Sequence, residues 1–191
     1  MYKNILKNYA ALIEALKDEL EDVLKDESED ELEDELEDDN KTYLDYKDIQ
    51  YCISNASDLI QEKFDTILCI TRGGLIPAGM LAYELGIKNI VTINASSYND
   101  DDNSQEEFVS IEKLSKKDIK KLNASNHVLI VDDIIDSGNT IKAIKKYLFE
   151  KINVNVKYSV FSIVSKKIEL NNYYIYNMTG NDNWVVFPWD K

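Results

Sequence analysis

The sequence predicts an α/β fold, a mainly parallel twisted sheet flanked by helices, and three observations carry that prediction. The runs Thr66-Ile-Leu-Cys-Ile70 and His127-Val-Leu-Ile-Val131 are of strand length and almost wholly apolar, as strands buried on both faces must be. Segments with helical spacing of apolar residues alternate with such runs. Both runs end in polar turns, Thr-Arg-Gly-Gly and Asp-Asp, and in open parallel sheets ligands sit beyond the carboxyl ends of the strands.

Taken in order, the apolar residues Ile5, Tyr9, Leu12, Leu16, Leu20 and Val23 recur every three or four positions, one stripe of an amphipathic helix. Ser28 to Asp39 is almost wholly Glu and Asp, a solvated linker by its self-repulsion. Thr42 to Leu44 reads as a short strand, and Asp45 as the N-cap of a helix running to about Lys63. Leu75 to Leu85 reads as a helix closed by Gly86. Asn89 to Ala95 is a strand, followed by a polar loop over 96–107 and a strand from Phe108 to Glu112. A short helix is expected at Ser115 to Leu122 and a longer one at Asn139 to Glu150. Val156 to Val164 and Tyr173 to Tyr176 complete the strands. The chain therefore divides into an acidic extension, 1–40, and an α/β domain, 41–191.

Charge follows that division. Residues 1–40 hold 16 acidic and 4 basic residues, a net of −12 out of −14 for the whole chain. The extension reads either as a helix packed on its own body or a neighbouring subunit, or as a docking element for a basic partner. A nearly neutral body without a basic face predicts no nucleic-acid binding. No signal-like start and no run of 18 apolar residues occur, so a cytoplasmic protein without a membrane span is expected, with Cys52 and Cys69 buried as reduced thiols.

The chemistry concentrates in Val128-Leu-Ile-Val-Asp-Asp-Ile-Ile-Asp-Ser-Gly-Asn-Thr140. A buried strand delivers adjacent carboxylates, and a turn of small polar residues opens directly into a helix, whose first amides and positive dipole end cradle phosphate. Paired carboxylates at a strand end suit sugar hydroxyls and a hard cation such as Mg²⁺. Arg72 is the single arginine beside 21 lysines. It sits in the other polar turn, where a planar fork of N–H donors suits phosphate oxygens in a way lysine cannot copy. His127, the single histidine, is read as structural.

This string resembles the phosphate-binding motif of the type I phosphoribosyltransferases. Ile70-Thr-Arg-Gly-Gly-Leu-Ile-Pro-Ala78, Leu81-Ala-Tyr-Glu-Leu-Gly-Ile87, Ser96-Ser-Tyr98, Trp184 and Pro188-Trp-Asp190 are similar, in the same order, to the bacterial xanthine–guanine branch of that family. The resemblance implies a C-terminal hood and transfer of ribose 5-phosphate from phosphoribosyl pyrophosphate (PRPP) to a 6-oxopurine, with Mg²⁺ as cofactor and a homodimer or homotetramer as the assembly. It implies a pyrophosphate loop at Arg72 and Gly73, with a cis peptide before Arg72. Asp132 and Asp133 would hold the ribose hydroxyls, and Asp133 the metal. The segment Ile134, Ile135, Asp136, Ser137, Gly138, Asn139 and Thr140 would complete the PRPP site, and Asp136 would serve as catalytic proton acceptor near purine N7. Lys166 would read the 6-oxo group, with Lys167 the lesser candidate, while Trp184 would stack on the base and the Val185 carbonyl would accept from its edge.

Glu106 stands where the family's mobile loop carries an arginine, and Asp100 to Asp102 add negative charge. Together with a chain that stops soon after Pro188-Trp-Asp190, this predicts slow turnover unless Lys113 or a partner subunit compensates. The alternatives are a PRPP- or nucleotide-sensing regulator of the same fold with little catalysis, and transfer to a pyrimidine base.

Overall fold

The computed structural model describes residues 40–98, 108–167 and 172–190. The helix expected over Ile5 to Leu24, the acidic run to Asp39 and the acidic loop containing Glu106 lie outside the described residues. The described chain forms two compact units, residues 44–181 and residues 40–43 with 182–190. In the smaller unit, β1 (Lys41–Tyr43) runs parallel to β9 (Trp184–Val186).

The larger unit begins with α1 (Tyr46–Leu59). Its start is fixed by a reciprocal cap: the Asp45 carboxylate accepts from the Lys47 and Asp48 amides at 2.7 and 2.9 Å, and the Asp48 carboxylate accepts from the Asp45 amide at 2.8 Å. Two of the helix's otherwise unpaired donors are thereby satisfied. There follow β2 (Thr66–Thr71), α2 (Leu75–Glu84), β3 (Asn89–Tyr98), β4 (Phe108–Ile111), α3 (Lys116–Asn123), β5 (His127–Val131), β6 (Ile134–Ile135), α4 (Asn139–Lys151), β7 (Lys157–Ser165) and β8 (Asn172–Asn177). The sheet order is β4-β3-β2-β5-β7, with β6 and β8 also pairing β7. Every pairing is parallel except β3 with β4.

The central strands are buried on both faces, as their continuous apolar runs require. Leu68, Ile70, Val91, Ile93, Val128, Ile130 and Val160 form one core with Leu122 of α3 and Ile141, Ile144 and Leu148 of α4. Alternation along each strand turns Ile67, Cys69, Leu129, Val131, Phe161 and Ile163, all fully buried, to the opposite face. There α1 and α2 pack on one another, with α1 against β8 and α2 against β2.

Three expectations are corrected. The strand that was to end at Ala95 continues to Tyr98, because Ser96, Ser97 and Tyr98 pair with Ser110, Val109 and Phe108 of an antiparallel edge strand. An edge strand buries less than a central one, so polar residues are compatible with it. α1 stops at Leu59, with the Ile60 amide closing on the Ala56 carbonyl, rather than reaching Lys63. The two-residue β6 and three-residue β9 were not anticipated. β6 keeps the register of β5: Val131 lies opposite Phe161 and Ile134 opposite Val164. The pairing along β7 thus keeps one register, interrupted only at Asp132 and Asp133.

Candidate active site at the ends of β2 and β5

β2 and β5 are neighbours, so their polar turns emerge side by side. Beyond β2 the Thr71–Arg72 peptide is cis, as the resemblance implied, and Arg72 is exposed. The turn is closed by the Gly74 amide on the Ile70 carbonyl at 2.9 Å and the Leu75 amide on the Arg72 carbonyl at 3.0 Å. Both glycines are dictated by space. A Cβ on Gly73 would lie 2.6 Å from the carboxyl carbon of Asp133, and one on Gly74 would meet the Val131 and Ile70 carbonyl oxygens at 2.5 and 2.6 Å. Real Cβ contacts that short essentially never occur. Gly74 was not singled out by the sequence reading; the tandem glycine after a strand is the signal that pointed to it.

Between β5 and β6 the two acids leave the ladder while their backbones stay tied to β7. The Asp132 amide donates to the Phe161 carbonyl at 3.1 Å, and the Asp133 carbonyl accepts from the Ile163 and Val164 amides at 3.0 and 3.1 Å. Each carboxylate also caps the next amide: Asp132 takes the Asp133 N–H at 3.1 Å and Asp133 takes the Ile134 N–H at 2.8 Å. Burial, and then the negative charge of Asp133, hold the Asp132 carboxyl well above the ordinary carboxylate range. A pair in that state favours any ligand that brings hydroxyl donors or positive charge. Beneath it, burial and the Asp132 charge push the Cys69 thiol up to about 12, which removes it as a nucleophile.

Among the described residues no cluster of three or more His, Cys, Asp or Glu could hold a metal by itself. Mg²⁺ is ordinarily held by one or two carboxylates together with substrate oxygens, and Asp133 is such a carboxylate.

Ile134 and Ile135 carry the chain through β6. Ile135 is buried in the core, and its carbonyl accepts from the Lys166 amide at 2.8 Å. The turn Asp136 to Gly138 then opens into α4. Gly138 has φ +78°, the left-handed region that glycine adopts without cost. The first bond of the helix runs from the Lys142 amide to the Gly138 carbonyl at 3.1 Å. The amides of Asn139, Thr140 and Ile141 therefore precede the helix's own ladder, and that of Asn139 donates to Ser137 Oγ at 3.3 Å.

The end of β7 supplies the remaining side chains. Lys166 Nζ lies 3.4 Å from Asp136 Oδ1, the lysine largely buried and the carboxylate 68% exposed. Lys167 Nζ donates to the Ser137 carbonyl at 3.2 Å. Asp136 and Lys166 thus meet. In the smaller unit, Trp184 is 69% exposed and not a core residue, and Val185 is buried. Trp189 stacks on Phe187, with centroids 5.0 Å apart and planes 6° from parallel.

His127 is structural: its Nε2 lies 3.0 Å from Ser159 Oγ and its ring 4.2 Å from that of Phe64. Among the described residues no helix is long and apolar enough to cross a membrane.

Residues 34–191 match the phosphoribosyl transferase domain. The xanthine-guanine phosphoribosyltransferase of Gluconobacter oxydans is 33% identical over 140 residues, 71% of this chain and 75% of that protein. Among solved structures, the purine phosphoribosyltransferase of Pyrococcus horikoshii aligns with a TM-score of 0.65 and 25% identity, covering 80% of this chain and 95% of that one. A Neisseria gonorrhoeae protein with bound ppGpp aligns with a TM-score of 0.62 and 28% identity, covering 80% and 90%.

Proposed function

The chain belongs to the phosphoribosyl transferase domain family, and from that premise we propose that it transfers ribose 5-phosphate from PRPP to a 6-oxopurine in purine salvage. The products are a nucleoside monophosphate and pyrophosphate. The observation that carries the reading is the close approach of Gly73 to the Asp133 carboxylate. It brings the Arg72 turn and the paired acids together on one surface.

In this reading Arg72 and the Gly73 backbone hold the pyrophosphate group, and Asp132 and Asp133 accept from the ribose 2′- and 3′-hydroxyls. The turn from Ile134 to Thr140 receives the 5′-phosphate on backbone amides. Lys166 donates to the 6-oxo group; stacking by Trp184 and the Val185 carbonyl at the base's edge rest on the resemblance alone. As N9 of the base bonds to C1′, the bond from C1′ to pyrophosphate oxygen breaks, and Asp136 takes the proton released at N7. Lys166, 3.4 Å from Asp136 Oδ1, orients that carboxylate. Asp133 would hold Mg²⁺, which when bound would supply positive charge toward the departing pyrophosphate. Placing N9 in line with the breaking bond supplies much of the remaining acceleration. A homodimer or homotetramer, expected from the resemblance, is read by light scattering.

The test is a base panel. Protein with PRPP and Mg²⁺ converts guanine, xanthine or hypoxanthine to its monophosphate with stoichiometric pyrophosphate. PRPP binding without turnover on any base would overturn the proposal in favour of a sensor, a reading not favoured by relatives named as transferases. The Neisseria protein holds ppGpp, which joins a guanine, a ribose and two diphosphates. Competition between ppGpp and PRPP is therefore expected.

A further inference from the structure

Two adjacent lysines close β7, and they do different things. The Lys166 ammonium meets the Asp136 carboxylate at 3.4 Å, whereas the Lys167 ammonium passes to the backbone and donates to the Ser137 carbonyl at 3.2 Å. The backbone that carries Lys167 is itself anchored. Ser165, fully buried, donates its hydroxyl to the Lys167 carbonyl at 2.6 Å, and the Lys166 amide donates to the Ile135 carbonyl at 2.8 Å. Lys166 and Lys167, just beyond β7, thus hold three consecutive residues of the turn, 135 to 137.

The contact at Ser137 has a specific mechanical consequence. Carbonyl and amide of a trans peptide point in opposite directions. Drawing the Ser137 carbonyl toward Lys167 therefore turns the Gly138 N–H the other way. Gly138 has no Cβ and sits at φ +78°, so of all residues in the turn it least resists rotation of the peptide before it. The peptide after it is already fixed, because the Gly138 carbonyl accepts from the Lys142 amide at 3.1 Å. Lys167 fixes the other one.

We infer that Lys167 is a positioning residue: it locks the Ser137–Gly138 peptide, and through that peptide it sets the amides that receive the 5′-phosphate of PRPP. The inference deepens the transferase reading above and rests on it. The Lys167 ammonium donates to the Ser137 carbonyl, while Lys166 meets the Asp136 carboxylate, so the effect belongs to the sugar-phosphate end of the substrate and not to the purine or the pyrophosphate. The ammonium charge also lies beside a turn that accepts a dianion, which adds attraction in the same place.

The experiment compares Lys167→Met and Lys167→Arg with the wild-type chain. KM for PRPP and for guanine, kcat, and the inhibition constants of ribose 5-phosphate and of pyrophosphate are measured, with calorimetric binding of ribose 5-phosphate alongside. For Lys167→Met, KM for PRPP and the ribose 5-phosphate constants rise about tenfold, the size of one lost charge-assisted hydrogen bond. The guanine KM, the pyrophosphate constant and the melting temperature stay at wild-type values. Lys167→Arg, which keeps a charged donor, recovers most of the loss.

Unchanged ribose 5-phosphate binding in Lys167→Met overturns the inference. So does an equal rise in the pyrophosphate or guanine constants, which would mark a general disturbance of the fold. A wild-type chain that binds ribose 5-phosphate without turning PRPP over sinks the transferase reading and leaves Lys167 judged on binding alone. One that does neither overturns both.

Discussion

Replacing each glycine of the Arg72 turn by alanine separates function from stability at adjacent positions. At Gly73 a Cβ would stand 2.6 Å from the Asp133 carboxyl carbon, where ordinary contact begins at 3.4 Å. The obstacle is the end of a side chain, which can rotate, so the fold survives and the acid moves by roughly 0.8 Å or more. That displacement breaks the 2.8 Å bond from the Ile134 amide, at a cost of about 1–2 kcal/mol. A misplacement of about 1 Å near reacting groups costs on the order of 100-fold in rate. Gly73→Ala is therefore expected to lower kcat/KM for PRPP about 100-fold while the melting temperature falls by only about 2–8 °C.

At Gly74 the obstacles are the Val131 and Ile70 carbonyl oxygens, at 2.5 and 2.6 Å. Both belong to central strands and cannot swing aside. Gly74 has φ −68°, which alanine adopts freely, and an unhindered Gly-to-Ala change would stabilise by about 0.4–1 kcal/mol. Overpacking reverses the sign and costs about 1–3 kcal/mol or more. The assays are pyrophosphate release and thermal unfolding. Gly73→Ala with kcat/KM within threefold of wild type, or a Gly74→Ala protein more stable than wild type, would refute the reasoning.

Asp136→Asn removes the proton acceptor and keeps the shape, so turnover falls roughly 10²–10⁴-fold while calorimetry finds PRPP affinity near wild type. Arg72→Lys keeps the charge and loses the planar fork, raising KM for PRPP and the pyrophosphate inhibition constant together. His127 gives a pH signature. Burial holds its pKa below the ordinary value, outweighing the pull of Glu62 and Asp65 in the other direction, and Lys157 adds to the lowering. The unfolded chain then binds the proton more readily, so this contribution to stability is intact above about pH 6.5 and is lost as pH falls through the folded value. Urea midpoints across that range should fall more steeply for wild type than for His127→Gln.

What the sequence disclosed, and what it withheld, follows from how local each cause is. The Asp45 cap depends on Asp45 and Asp48 three residues apart, and the strand at β5 on five successive apolar residues, so both were legible. Ser96 to Tyr98 looked like a loop because their polarity is local, whereas their pairing with β4 is not. β6 was hidden because the two acids interrupt the apolar run, although the register with β7 never slips. The Arg72 turn and the acid pair were found by residue type, but the crowding that forbids a Cβ on Gly74 involves carbonyls from two strands. Lys167 was equally opaque, since nothing in Ser-Lys-Lys tells which ammonium seeks a carboxylate and which a carbonyl.

The contrast between the two tryptophans gives the chain an optical readout of its own. An indole open to solvent, as at Trp184, emits toward the red, whereas that of Trp189 is half-buried and stacked on Phe187. A purine that covers the first would quench or blue-shift that component and spare the second. Occupancy can then be followed by fluorescence titration, without a label and without turnover.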